Sequence, residues 1–184
     1  PLLLGGYSRL VIDLNRPLVS PESIPERSDG IAIPGNQGLG VVERRARVTA
    51  LFDPYHQAIT RLLDARRGTP TLLFSIHSFT PVLGDASRPW HAGVACGRDP
   101  RLARPMHLAL ARPGDLCIGY NQPYDVDDDH DFTLPTHGEG RDIPHVMIEM
   151  RQDGLRTAAG VDRWVDRLAE AILSVAPAVL APGF

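Results

Sequence analysis

The chain has 184 residues, 43% hydrophobic and 22% charged, a balance that fits one soluble globular domain with an adequate core. A net charge of −3 leaves no electrostatic footprint for nucleic acid, and no apolar run approaches the roughly 20 residues of a membrane span. Cys96 and Cys117 are not spaced as a metal pair and fit either two thiols in a reducing cytoplasm or a single disulfide.

Residues 7–16, YSRLVIDLNR, cluster Leu10, Val11 and Ile12 and predict a strand. It should break at Asn15-Arg16-Pro17, because proline restricts the residue before it. Residues 18–40 predict a long loop with few apolar side chains, of the functional or mobile kind. Residues 42–66 have helical periodicity, with Val48, Leu51, Phe52, Tyr55, Ile59 and Leu62 at three- and four-residue steps. Pro54 predicts a kink or a break there. Residues 71–81, TLLFSIHSFTP, open with Leu72, Leu73, Phe74 and Ile76. That run predicts a strand buried on both faces, ending at His77-Ser78.

Residues 92–96 and 116–120 predict short strands, and residues 100–111 a helix with Leu102, Met106, Ala109 and Leu110 inward. The run DVDDDHD (125–131) lacks the glycine and terminal glutamate of a calcium loop and reads as solvated. Residues 145–150 predict an apolar strand interrupted by Glu149. Residues 161–175 predict the clearest helix, with Val161, Trp164, Val165, Leu168, Ala171, Ile172 and Val175 on one stripe. Alternating strands and helices give an α/β fold, a mixed, largely parallel sheet flanked by helices, as one domain over residues 1–184.

Three predicted strand ends carry polar groups that a purely structural strand does not need: Asp13-Leu14-Asn15-Arg16, His77-Ser78 and Glu149-Met150-Arg151. Ligands of open α/β sheets bind beyond the carboxyl ends of strands. A histidine there presents a ring nitrogen to a metal or substrate, or merely caps the strand. Glu149 inside HVMIEMR is either a desolvated general acid/base or half of a structural pair with Arg151, which alternation puts on the same face. Arg88-Pro89-Trp90-His91 forms either a wall for an anionic ligand or a core anchor beside a surface charge.

The blocks YSRLVIDLNRP (7–17), IPGNQGL (33–39), DPYHQAI (53–59), SIHSFTPVL (75–83), RPWHAGV (88–94), GYNQPYD (119–125) and PHVMIEMRQDG (144–154) together span nearly the whole chain. In these blocks the chain resembles the N-formylglutamate amidohydrolases, also called N-formylglutamate deformylases. The resemblance implies a zinc-dependent hydrolase with a fold similar to zinc carboxypeptidases and aspartoacylase. It implies that His77 is a metal ligand and that Glu149 is the general base that activates water. It also implies that Asn15 and Arg16 hold a substrate carboxylate, with Arg88 or Arg151 for a second. The implied reaction splits N-formyl-L-glutamate into formate and L-glutamate, late in histidine breakdown, in the cytoplasm. The expected partner is a small N-acyl amino acid, with neither nucleic acid nor membrane.

The family also carries an early glutamate-histidine block that supplies the first metal ligands. None of the seven histidines lies before His56, so those ligands are expected upstream of Pro1. Two other readings stay open: a hydrolase of another N-acyl amino acid, and a non-catalytic binder of small carboxylates.

Overall fold

The computed structural model describes residues 1–181. The chain divides into two compact units, Pro1–Thr69 with Asp127–Thr133, and Pro70–Val126 with the chain from Leu134 onward.

In the first unit, residues 7–16 form turns and not the predicted strand. Val11 N–H donates to Ser8 O at 2.9 Å, which closes a turn where a strand would extend. Backbone carbonyls here are satisfied by side chains in place of a ladder. The buried Asn36 amide donates to Leu10 O at 2.8 Å and Pro25 O at 2.6 Å. Arg47 Nη1 donates to Val11 O at 2.6 Å and to Asn36 Oδ1 at 2.7 Å. Ile12 is thereby buried with Ile24, Val48 and Phe52. The predicted loop is ordered by the same contacts. It contains the hairpin β1 (Arg27–Ser28) and β2 (Ile31–Ala32), whose turn residues Asp29 and Gly30 both have positive φ, as a primed hairpin turn requires.

Pro54 does not break the helical segment. Helix α1 (Val41–Arg47) runs through a π-helical turn (Val48–Phe52) into α2 (Asp53–Asp64). The wider turn, with Asp53 N–H donating to Val48 O, leaves Pro54 in the first turn of α2, where proline's missing donor is tolerated.

The second unit holds a four-stranded sheet. Its parts in chain order are β3 (Leu73–Phe79), the hairpin β4 (Val82–Leu83) and β5 (Ala86–Ser87), β6 (Ala92–Ala95), α3 (Ala103–Ala111), β7 (Ile118–Tyr120), β8 (His145–Arg151) and α4 (Ala158–Val179). Pairs β3/β8 and β6/β7 are parallel and β6/β8 is antiparallel, so the sheet is mixed and largely parallel. One face is the core: Val146, Ile148 and Met150 of β8 and Ala92 and Val94 of β6 pack with Met106 and Leu110 of α3 and with Trp164, Ala171 and Val175 of α4. By alternation, Ser75, His77, Met147, Glu149 and Gly93 belong to the other face.

Two expectations fail here. The β3 strand is not buried on both faces: Ile76 is 50% exposed, and the strand continues past His77 to Phe79. It lies at the sheet edge, paired with β8 alone among the described residues, and an apolar run does not distinguish edge from interior. On α4, Trp164, Leu168, Ala171 and Val175 face the core, but Val161 and Val165 are exposed. They lie roughly 60–100° around the helix from Trp164, at the margin of the stripe.

His56 sets a pH dependence for the first unit. It is buried against Phe52 and Phe132, with ring centroids 4.3 and 4.6 Å away, and its Nε2–H donates to Leu14 O at 2.8 Å. Burial pushes its pKa below the usual histidine value. The unfolded chain therefore takes up a proton near pH 6.5 before the folded chain does. This contribution to stability is complete above that pH and is lost as pH falls towards and through the folded value. Thermal denaturation at pH 7.5 and 5.5 should show the loss, and His56→Phe should flatten it. An equal pH slope in the variant would contradict the assignment.

Candidate active site

Parallel pairing of β3 with β8 sets His77 opposite Glu149 and Phe79 opposite Arg151. Facing residues of a parallel pair share a face, so the register brings two of the sequence-predicted site residues together. His77 Nδ1 lies 4.0 Å from Glu149 Oε1, and its Nε2 lies 2.8 Å from Ser75 Oγ. Ser75 sits two residues back on the same face and orients the imidazole. The Glu149 residue is only 7% exposed, while the His77 side chain is 31% exposed. The pair thus joins a buried carboxylate to a half-exposed ring that solvent and small molecules reach.

Arg88 belongs to the same neighbourhood. Its guanidinium carbon is 5.7 Å from the ring centroid of Phe79, two residues beyond His77, and 4.9 Å from that of Tyr124. Arg88 is buried, so this cation is desolvated between two aromatic rings, where cation–π attraction is strongest. Neither Tyr124 nor Ser75 was singled out by sequence reasoning. A signal for the first existed: glycines within strands mark close backbone approach. A Cβ at Gly93 of β6 or Gly119 of β7 would collide with the carbonyl oxygen of Gln122. Residues 121–124 can therefore lie directly on β6, the strand beside Glu149, and on β7 next to it.

Arg151 does not pair with Glu149. Its Nε donates to Asp153 Oδ1 at 2.8 Å, and its Nη1 donates to Arg88 O at 3.0 Å and Pro89 O at 3.3 Å. The guanidinium holds the Arg88-Pro89 backbone.

Asn15 and Arg16 lie in the first unit, and both are engaged. Asn15 Nδ2 donates to Asp131 Oδ1 at 2.6 Å, and Asn15 Oδ1 accepts from Thr133 N–H at 3.0 Å. Arg16 Nε donates to Glu22 Oε2 at 3.2 Å and Nη1 to His130 O at 2.5 Å. Its Nη2 makes no hydrogen bond among the described residues. The acidic run is therefore more than a solvated loop. Asp131 is buried, and that burial raises its carboxyl pKa against the opposing pull of its hydrogen bonds and Arg16. Asp127 Oδ1 accepts from the N–H groups of Asp129 at 2.8 Å and His130 at 2.7 Å, a turn that periodicity does not register.

A catalytic zinc takes three protein ligands and an open position. Among the described residues no group of three or more histidine, cysteine, aspartate or glutamate side chains comes together to hold a metal. His77 and Glu149 do not by themselves fit a zinc centre.

A family model for N-formylglutamate amidohydrolase matches residues 1–156. Among solved structures, a gene product of Agrobacterium tumefaciens is 33% identical, with a TM-score of 0.79, over 95% of this chain and 68% of that one. The N-formylglutamate amidohydrolase of Ralstonia eutropha JMP134 is 16% identical, with a TM-score of 0.62, over 93% of this chain and 72% of that one, a likeness in fold. No curated protein matches the chain.

Replacing Asn15 by Ala should remove the clasp on residues 127–133 and leave Thr133 N–H and Asp131 with fewer partners. We expect a stability loss of about 1–3 kcal/mol in urea denaturation, together with faster hydrogen exchange at Thr133. Unchanged exchange at Thr133 would show that Asn15 does not hold this segment.

Proposed function

The chain belongs to the N-formylglutamate amidohydrolase family, and on that premise we propose that it hydrolyses N-formyl-L-glutamate to formate and L-glutamate. The observation that carries this reading is the pair His77 and Glu149, 4.0 Å apart at the carboxyl ends of two parallel strands. Glu149 takes a proton from the attacking water as the water oxygen bonds to the formyl carbon. The tetrahedral adduct collapses as Glu149 returns that proton to the amide nitrogen. The C–N bond breaks, leaving formate and the free amine of glutamate. Burial strengthens this chemistry, because a carboxylate held in a largely dry site needs little solvent reorganisation to move a proton.

We assign the reaction to a zinc enzyme, with His77 contributing one ligand. A dicarboxylate substrate calls for about two cationic contacts to be told from a monocarboxylate. The second unit offers Arg88, desolvated between Phe79 and Tyr124, as one of them. In this reading Arg151 positions Arg88 by holding its backbone carbonyl. Both cysteines are free thiols, which supports a cytoplasmic setting, and the reaction belongs to histidine breakdown.

Hydrolysis assays on the full-length protein should favour N-formyl-L-glutamate over N-formyl-L-methionine by at least about tenfold in kcat/KM, since the second carboxylate is read by a charge-assisted contact. Equal rates would overturn the substrate assignment. His77→Ala should lose zinc and activity together, and stoichiometric zinc in that variant would overturn the ligand assignment.

A further inference from the structure

The second unit contains a cavity of about 260 Å³ that neither His77 nor Glu149 lines. Its walls come from the end of β8, the first turns of α4 and the segments around His91 and Asp115. Four of its residues, Gly160, Arg163, Trp164 and Arg167, lie beyond residue 156, where the match to the family model ends. The volume is just below the roughly 300–1,000 Å³ of pockets for drug-sized ligands, so the occupant is of metabolite size.

The polar groups of this cavity divide into those already used and those still open. Arg167 grips Asp115 with two hydrogen bonds, at 2.9 and 2.5 Å, and Arg151 Nε grips Asp153 Oδ1. These contacts hold both carboxyls below the usual carboxylate range, so both stay ionised at neutral pH. Arg163 has no ion-pair partner among the described residues. His91 Nδ1 accepts from Cys117 N–H at 3.0 Å, which places the proton of a neutral ring on Nε2 as a donor. Asp153 Oδ1 accepts from Arg151 and from Gly154 N–H, while Oδ2 takes no hydrogen bond among the described residues. Two donors and one anionic acceptor are thus left open in one small space. A simple anion would meet Asp115 and Asp153, and a simple cation would meet three arginines.

We propose that this cavity binds a free α-amino acid as its zwitterion, the carboxylate on Arg163 and His91 Nε2–H and the ammonium on Asp153 Oδ2. Leu116 and the Trp164 indole give its side chain an apolar wall. Gly154 makes room for that indole, since a Cβ there would lie 3.0 Å from Trp164 Nε1. The site is separate from the hydrolytic pair, and its occupancy does not depend on which amide the enzyme splits.

The chain has two tryptophans, so the indole N–H resonances of ¹⁵N-labelled protein give two local reporters, assigned with Trp164→Phe. Millimolar L-glutamate should shift the Trp164 resonance saturably. Glutarate, which keeps both carboxylates but lacks the ammonium, should bind there at least about tenfold more weakly, as should L-glutamate to Arg163→Ala, the scale of one lost charge-assisted contact. Arg163→Ala should leave turnover of N-formyl-L-glutamate unchanged. A Trp164 resonance that does not move, or moves equally with glutarate or in Arg163→Ala, would overturn the proposal. A shift of Trp90 alone would place the amino acid elsewhere and overturn it too.

Discussion

The register of β3 against β8 is the constraint on which the candidate site depends. In a strand the side chains alternate between faces, so a slip of one residue would send Glu149 into the face packed on α3 and α4. There it would meet the core of Met106, Leu110 and Trp164, where an ionised carboxylate is costly. Val146, Ile148 and Met150 resist that slip, because each is buried on the core face only in the observed register. Burial of three apolar side chains thus holds Glu149 on the opposite face, beside His77. The same strand packs its even positions against α3 and α4 and turns Glu149 to the other face.

Around that pair the fold uses backbone proximity where bulk would obstruct. Gly93 stands opposite Glu149 across the antiparallel β6/β8 pair, and the absent Cβ admits the Gln122 carbonyl. The segment that follows carries Tyr124 onto Arg88. Arg151 then fixes the backbone that bears Arg88 through two carbonyl contacts. Each of these residues acts on the site through another, which explains why several polar groups gather at one sheet end without all facing one ligand.

Much of the second unit was legible in the sequence because its elements obey simple periods. The apolar run of β8, the inward Leu102 that caps α3 with its Met106 and Leu110, and the mixed sheet follow from burial on one or both faces. Glu149 stood out because a carboxylate in such a run demands an explanation. What escaped was set by neighbours distant in sequence. Residues 7–16 have strand-like composition, but Asn36 and Arg47 satisfy their carbonyls from afar, so no ladder forms. The edge position of β3 depends on which strands lie beside it, and its own residues do not record that. Asp131 reads as one more acid in a run, yet it is buried and clasped by Asn15, 116 residues away in sequence. The partner of Arg151 could not be read from alternation, since Asp153 reaches it from the turn that follows the strand.

The most direct test of the account is the substitution Glu149→Gln, which keeps size and most hydrogen bonding but cannot accept a proton. In this variant kcat on N-formyl-L-glutamate should fall by about 10²-fold or more, the scale of a lost general base, while substrate affinity, metal content and melting temperature persist. A variant that keeps its kcat, or one that loses metal or fold with kcat per bound metal unchanged, would contradict it and make Glu149 a ligand or a structural partner.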